Sequence, residues 1–201
     1  MQPLALSADE VRIALDGLDP AAIPIACSKR LTLKQRLDGR LFRIGAIPPF
    51  RAFVLKRGGL TLIYVAESYK GYRYVARKLH GHVDATVDYD HALGRALASA
   101  AGISYVLLLR ADRAVNRAHG RSERPVPRSG VTLRKTFGFD PRILGKALGR
   151  TPGAIGHAAP GYDVNVEHRS ALTPDELVRF GVSVGLAHTR PGLDFLREIE
   201  R

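Results

Sequence analysis

Apolar residues near the start of the chain recur at helical spacing. Ser7 precedes two acidic residues, and four apolar positions then follow at intervals of three, one and three residues: Val11, Ala14, Leu15 and Leu18. That interval is the period of one helix face. Asp9 and Glu10, within the first turn after Ser7, suit a helix N-terminus, because the helix dipole favours negative charge there. The pattern predicts a first helix that packs through its apolar side.

The next part of the chain mixes apolar and basic positions. SKRLTLKQRLDGRLFRIG, residues 28–45, fits either a basic amphipathic helix or a hairpin, and its Asp38-Gly39 pair favours the hairpin. FRAFVLKRGGLTLIYVAES, residues 50–68, predicts two strands joined at Gly58-Gly59. YKGYRYVARKLHGHVDATVDY, residues 69–89, predicts one or two further strands, in which tyrosines are interleaved with cations.

A helix and a buried strand are predicted around residues 90–110. Asp90 is placed to cap the helix and His91 to occupy its first turn, and a stripe of alanine and leucine then runs to Gly102. SYVLLL, residues 104–109, is mostly apolar and has strand length, so it predicts a central strand buried on both faces. Residues 111–118 are helical or turn-like.

The composition of residues 121–130, RSERPVPRSG, is that of a linker. We place the boundary at residues 125–130. We therefore expect residues 1–124 to form an α+β or α/β domain, with a mixed sheet of four to six strands and flanking helices. A small helical region is expected over residues 131–201.

Within that region, DPRILGKALGRTPGAIGHAAP contains two helix starts, at Asp140-Pro141 and Thr151-Pro152. The stretch ALGRTPGAI, in which a tight turn follows Leu-Gly, resembles the turn of helix-turn-helix DNA-binding segments over residues 140–159. The resemblance implies contact with DNA through the second helix. A plain helical hairpin is the alternative.

The end of the chain predicts two more helical segments. Thr173-Pro174-Asp175-Glu176 combines an N-cap, a proline at the first helical position and acids in the first turn. Phe195, Leu196 and Ile199 then form an apolar face at helical spacing. We expect this last helix to serve packing or homodimer formation.

Composition narrows the class of protein. A hydrophobic share of 45% is enough for a core, and the single cysteine, Cys27, excludes an intramolecular disulfide and a cysteine-rich zinc module. No apolar stretch approaches the length of a membrane span, which is about 20 residues. The first residues, MQPLALSADEV, lack the pattern of a signal peptide. We therefore expect a cytoplasmic protein without a membrane partner.

The net charge of +12 indicates a negatively charged partner. Residues 29–57 contain nine Lys and Arg against one acid, and residues 110–150 contain eleven against three. Basic blocks attract phosphate polyanions by releasing their counterions, which predicts nucleic acid, DNA or RNA, as partner. General basicity of the surface is the alternative. The candidate nucleic-acid contacts are Arg30, Lys34, Arg36, Arg40, Arg43, Lys56, Arg57, Arg73, Arg117, Arg121, Arg134, Lys135 and Arg150.

Histidines and aspartates are concentrated between the basic blocks. On strand-like alternation His80, His82 and Asp84 point the same way, which gives a set of ligands for a divalent metal ion. Asn116 and His119 are three residues apart and would share a helix face. Together with Asp90 and His91 they could supply the base and acid of phosphodiester cleavage, with or without the metal ion.

Three functional hypotheses follow. The first is a nuclease or phosphodiesterase that uses His91, His119, Asn116 and Asp90, and it requires these groups to converge. The second is a non-catalytic DNA-binding protein of helix-turn-helix type. The third is a structural or assembly protein whose basic surface binds a polyanion.

Overall fold

The computed structural model describes residues 6–81, 85–122, 136–139, 141–152, 172–186 and 196–199. The elements are α1 (Ala8–Leu15), a 3₁₀ turn (Pro20–Ala22), β1 (Ala26–Cys27), α2 (Arg30–Leu37), β2 (Arg40–Ile44), β3 (Ala52–Arg57), β4 (Leu60–Ala66), α3 (Tyr72–His80), β5 (Val87–His91), α4 (Arg95–Ala100), β6 (Tyr105–Asp112), α5 (Arg113–Ser122), β7 (Thr136–Phe137), α6 (Pro141–Ala147), α7 (Pro174–Val184) and β8 (Leu196–Glu198). Within these ranges, no helix has both the length and the apolar character needed to cross a membrane.

The described strands form one antiparallel sheet in the order β7-β1-β6-β4-β3-β2-β8, and β5 also pairs with β6. β1 and β5 share one edge of β6, because the Leu107 N–H donates to the Ile25 carbonyl while the Leu107 carbonyl accepts from the Ala92 N–H. The predicted α+β class with flanking helices is confirmed. Six strands, β1 to β6, lie within residues 1–124, as expected. Two more, β7 and β8, come from the region expected to be helical, and the pairs of the described strands are antiparallel rather than mixed.

Helices cover the two faces of the sheet unequally. On one face, here called the α7 side, the core joins Leu107 and Leu109 of β6 to residues of α1, α2, α6 and α7. On the other face, the α3 side, Leu108 belongs to a smaller core that includes Val75 and Leu79 of α3. Successive residues of a strand point to opposite faces, so a residue's position along its strand decides which core it meets.

The hairpin predicted for residues 28–45 is wrong. The segment forms helix α2, and after Asp38-Gly39 it continues as strand β2. Leu33 and Leu37 are four residues apart and both buried in the α7-side core, so the helical period prevails. Asp38 ends the helix in the left-handed conformation, with φ 46°.

Of the described residues within 69–89, where one or two strands were expected, only Val87–Tyr89 belong to a strand, β5, and the helix expected at Asp90 is wrong. Tyr72–His80 is helix α3, which buries Val75, Ala76 and Leu79 on one side. Asp90 and His91 end strand β5, whose pairing with β6 supplies its backbone hydrogen bonds, and helix α4 begins only at Arg95. Asp90 is therefore not the N-cap of a helix.

Segments on either side of the expected 125–130 boundary share one sheet. β7 pairs with β1 and β8 pairs with β2, while α6 and α7 contribute to the same core as α1. The linker itself lies outside the described residues. The helix predicted around residues 195–199 is wrong, because Leu196–Glu198 is a strand that pairs with Phe42–Ile44 of β2.

Candidate nucleic-acid interface

Two of the four candidate catalytic residues, Asp90 and His91, lie on opposite faces of the sheet. They are neighbours in strand β5, so their side chains diverge. Asp90 is ion-paired with Lys146 of helix α6, on the α7 side. The His91 ring packs against Tyr72 of helix α3, with 4.5 Å between ring centroids. A single reacting phosphate could not be reached by both groups in this arrangement.

His91 is a buried and neutral imidazole. Its side chain is 3% exposed, and its Nε2 has no hydrogen-bond partner in the described part of the chain. Burial lowers the pKa of His91 to about 4, opposed by Asp90 and reinforced by the nearby cations Arg95 and Lys146. A base sealed from solvent in this way cannot meet a polymeric substrate without a rearrangement of α3.

Asp90 connects strand β5 to helix α6. Its carboxylate accepts a hydrogen bond from the Lys146 ammonium, whose side chain is 1% exposed, whereas the Asp90 side chain is 26% exposed. A buried ammonium needs a counter-charge, because desolvation of an isolated ion is costly. The contact therefore gives Asp90 a structural role.

His119 lies fully buried on helix α5, beside the end of α6. Its Nε2–H donates to the Arg150 carbonyl at 2.8 Å, so that nitrogen carries the proton. Asn116, one turn earlier on α5, is half-buried. The two share a helix side as predicted. His119, however, contacts the end of α6, whereas His91 contacts α3, so the described contacts do not bring these histidines together.

The three predicted metal ligands are only partly described. His82 and Asp84 lie outside the described residues. His80 ends helix α3 and stacks on the Tyr89 ring, with 5.6 Å between centroids. The strand alternation on which the set was predicted is wrong for His80. In the segments that the structure covers, no three His, Cys, Asp or Glu side chains are grouped to hold a metal ion.

Some predicted phosphate contacts already have partners within the protein. The Arg57 guanidinium donates to the Leu15 carbonyl at 2.8 Å, near the end of helix α1. Arg40 forms two hydrogen bonds with the Glu198 carboxylate, which also raise the pKa of its guanidinium. Arg150 is ion-paired with Glu176.

The other predicted cations are distributed over different elements. Arg30, Lys34 and Arg36 lie on helix α2, whose leucines pack on the α7 side, and Arg117 is exposed on α5. Arg43 alternates with Phe42 and Ile44, which meet the α3-side core, so it points to the α7 side. Lys56 and Arg73 lie on the α3 side. Arg134 and Lys135 fall outside the described residues, as does the side chain of Arg121.

Contacts between cations and aromatic rings are concentrated on the α3 side. Those among the described residues are Arg40 and Lys56 with Phe42, Arg51 with Phe50 and Tyr69, Arg73 with Tyr72, and Lys78 with Tyr74. Phe42, Tyr69 and Tyr72 pack against the α3-side core. The contacts therefore mark one side of the molecule.

The exposed residues of the 50–51 turn and of residues 70–78 on this side are here called the cationic α3 surface. It consists of five exposed cations and two exposed rings: Arg51, Lys70, Arg73, Arg77, Lys78, Phe50 and Tyr74. Residues 69–81 contain no Asp or Glu. Because α3 buries Val75, Ala76 and Leu79, its remaining positions present their charges to solvent. Arg51 bridges the Phe50 and Tyr69 rings and so links the 50–51 turn to the segment that leads into α3.

Sequence reasoning found only part of this surface. It singled out Arg73 and noted the alternation of tyrosines and cations, but it placed them on strands. Phe50 and Arg51 were missed, although an aromatic residue directly after Pro48-Pro49 is a local signal of an exposed turn. Of the residues 140–159 that resemble a helix-turn-helix segment, Pro141–Ala147 form α6, and residues 153–159 lie outside the described residues.

Comparison of the chain with protein-family models, with curated proteins and with solved structures found no match.

Proposed function

We propose that this protein binds nucleic acid through the cationic α3 surface and does not cleave it. The observation that carries the proposal is the set of five exposed cations on that surface, in and beside a segment free of acidic residues. Lys70, Arg73, Arg77 and Lys78 lie in a stretch that contains no Asp or Glu, so a phosphate is not repelled by a carboxylate of that stretch. Arg40 and Arg150 are ion-paired with Glu198 and Glu176, so they contribute less.

The expected binding depends steeply on salt. If a single strand places a phosphate at each of the five cations, the logarithm of its binding constant falls with a slope of about −3.5 against the logarithm of salt concentration. This slope corresponds to a loss of about a hundredfold between 50 and 200 mM salt. A surface that is merely solubilising would give weak binding without a defined set of contacts.

Binding without cleavage follows from the positions of the candidate catalytic groups. His91 and His119 are buried, and the Asp90 carboxylate is held by the Lys146 ammonium. None of the three belongs to the cationic α3 surface. General acid–base catalysis needs a group within hydrogen-bond reach of the reacting phosphate, and a strand bound at this surface would not meet one.

A paired substitution tests the proposal. Arg73→Gln/Arg77→Gln removes two cations from the α3 surface, and Lys29→Gln/Lys34→Gln removes two from the α2 region. Binding of fluorescein-labelled DNA is followed by fluorescence anisotropy across a salt series, with circular dichroism to verify folding. We expect the α3 variant to lower the salt slope for a single strand by about 1.4, because two phosphate contacts are lost. The α2 variant should keep the slope of the unmodified protein.

Two results would overturn the proposal. One is binding that does not weaken with salt, and the other is an equal loss in both paired variants. The same labelled DNA is incubated with Mg²⁺, Mn²⁺, Zn²⁺ or a chelator and separated on a denaturing gel. Intact DNA is expected in every lane, and cleavage that disappears with His91→Ala would restore the nuclease hypothesis.

A further inference from the structure

Two aromatic rings of the cationic α3 surface are turned to solvent. Phe50 is 62% exposed and Tyr74 is 50% exposed, whereas Tyr69 and Tyr72 pack against the α3-side core. The last two have an evident structural role in that core. Phe50 and Tyr74 keep half or more of their surface exposed, so the fold gains less from aromatic residues at these positions than from a fully buried ring.

Each exposed ring has a cation over it. The Lys78 Nζ lies 5.5 Å from the Tyr74 ring centroid, and the Arg51 guanidinium carbon lies 5.8 Å from that of Phe50. A flat apolar group next to a positive charge matches the two parts of a nucleotide, its base and its phosphate. The match is repeated at the 50–51 turn and on helix α3, so the surface offers two nucleotide-sized positions.

Only nucleic acids with unpaired bases can stack on such rings. In a duplex the faces of the bases are covered by their neighbours, and the outside presents phosphates and groove edges. An unpaired base exposes its face and can stack on an aromatic ring without regard to sequence. A basic surface without exposed rings would not distinguish the two forms in this way.

We propose that the cationic α3 surface takes single-stranded nucleic acid in preference to duplex, with bases stacked on Phe50 and Tyr74. This inference rests on the proposed function, because the phosphates of the strand are held by the same cations. Lys78 and Arg51 serve the phosphates next to the stacked bases. The cations provide salt-dependent affinity, and the rings provide the preference for unpaired strands.

The test replaces both rings while keeping apolar bulk, in Phe50→Leu/Tyr74→Leu. A second variant, Tyr74→Phe, keeps the ring and removes only the hydroxyl. The matched control is Ile13→Ala/Leu31→Ala, at two exposed apolar residues of the α1 and α2 segments, which are 77% and 59% exposed. The probes are a labelled oligothymidine and a labelled duplex, each of about 20 nucleotides per strand, longer than the usual site of a single-strand-binding fold.

We expect the unmodified protein to bind the single strand more tightly than the duplex. Loss of one stacked base costs at least about fivefold in affinity, so Phe50→Leu/Tyr74→Leu should lose about 25-fold or more for the single strand. Its duplex affinity and its salt slope should be unchanged, since no cation is removed. The Ile13→Ala/Leu31→Ala control should bind like the unmodified protein. Tyr74→Phe should keep the preference for the single strand over the duplex, because it keeps the ring.

The outcomes separate this inference from the proposed function. Equal binding of single strand and duplex, with the leucine variant unaffected, overturns the stacking and leaves the polyanion surface intact. An equal loss in the Ile13→Ala/Leu31→Ala control also overturns the stacking, because that control leaves both rings in place. Absence of salt-dependent binding to either probe refutes the proposed function and this inference with it.

Discussion

The ion pair between Asp90 and Lys146 can be tested by removing one partner at a time. Lys146→Met replaces the ammonium with an apolar group of similar length, and Asp90→Asn removes the charge of the carboxylate. Breaking a buried pair costs about 3–5 kcal/mol, because the remaining charge loses its counter-charge. We expect the two single variants to lose different amounts of the free energy of unfolding.

The exposures of the two side chains decide which of the two substitutions lowers the free energy of unfolding more. The Lys146 side chain is 1% exposed and cannot reach water when Asp90 is neutralised, so Asp90→Asn should cost about 4–5 kcal/mol, the upper part of the range. The Asp90 side chain is 26% exposed and recovers some hydration, so Lys146→Met should cost about 3 kcal/mol. In a chain of this size, that corresponds to a fall in Tm of about 6–12 °C.

The assay is urea unfolding at neutral pH, followed by circular dichroism, for the two single variants and for Asp90→Asn/Lys146→Met. The double variant should be more stable than either single variant, because the ammonium and its counter-charge are then removed together. A double variant no more stable than the singles, or a Lys146→Met within about 1 kcal/mol of the unmodified protein, would refute the coupling between β5 and α6.

Two further predictions concern the packing of the sheet. The pKa of His91 is about 4 when folded and about 6.5 when unfolded. Between these values the unfolded chain binds a proton that the folded chain does not, so stability is lost as pH falls from about 6.5 to 4. His91→Phe, which keeps the contact with Tyr72, should reduce this loss in urea titrations at several pH values, and an unchanged loss would contradict the assignment. Gly181→Ala places its Cβ 2.6 Å from Val11 Cγ2, where α7 packs on α1. We expect this crowding to destabilise the fold by about 1–3 kcal/mol, measured by urea unfolding. The control is Gly120→Ala, because a Cβ at that position has no atom within contact distance.

Local signals in the sequence were sufficient for several elements. Ser7 and Thr173 each accept a hydrogen bond from the backbone N–H three residues later, and Glu10 and Glu176 complete the two capping boxes. Those helix starts were predicted because a capping box involves only four consecutive positions. The apolar run that forms β6 was predicted as a central strand for a similar reason. A strand buried on both faces needs apolar residues at nearly every position, and these are visible in a short stretch of sequence.

The segment from residue 69 to 91 could not be predicted in this way. The apolar positions of Tyr72–His80 fit both an alternating and a helical period over such a short length, and contact with the α3-side core selects the helix. Asp90 and His91 have the sequence of a helix start, but β6 supplies partners for their backbone groups and holds them in a strand. The candidate catalytic cluster was separated by that pairing.

The sequence by itself determined an α+β protein with an excess of positive charge and well-marked helix starts. These properties depend on composition and on neighbours within a few residues. The tertiary structure decided which charges share a surface, because strand alternation sends Asp90 and His91 to opposite faces and the burial of Val75 and Leu79 turns the cations of α3 outward. It also decided that Tyr69 and Tyr72 pack against the core while Phe50 and Tyr74 remain exposed. That distinction depends on contacts between residues distant in the chain.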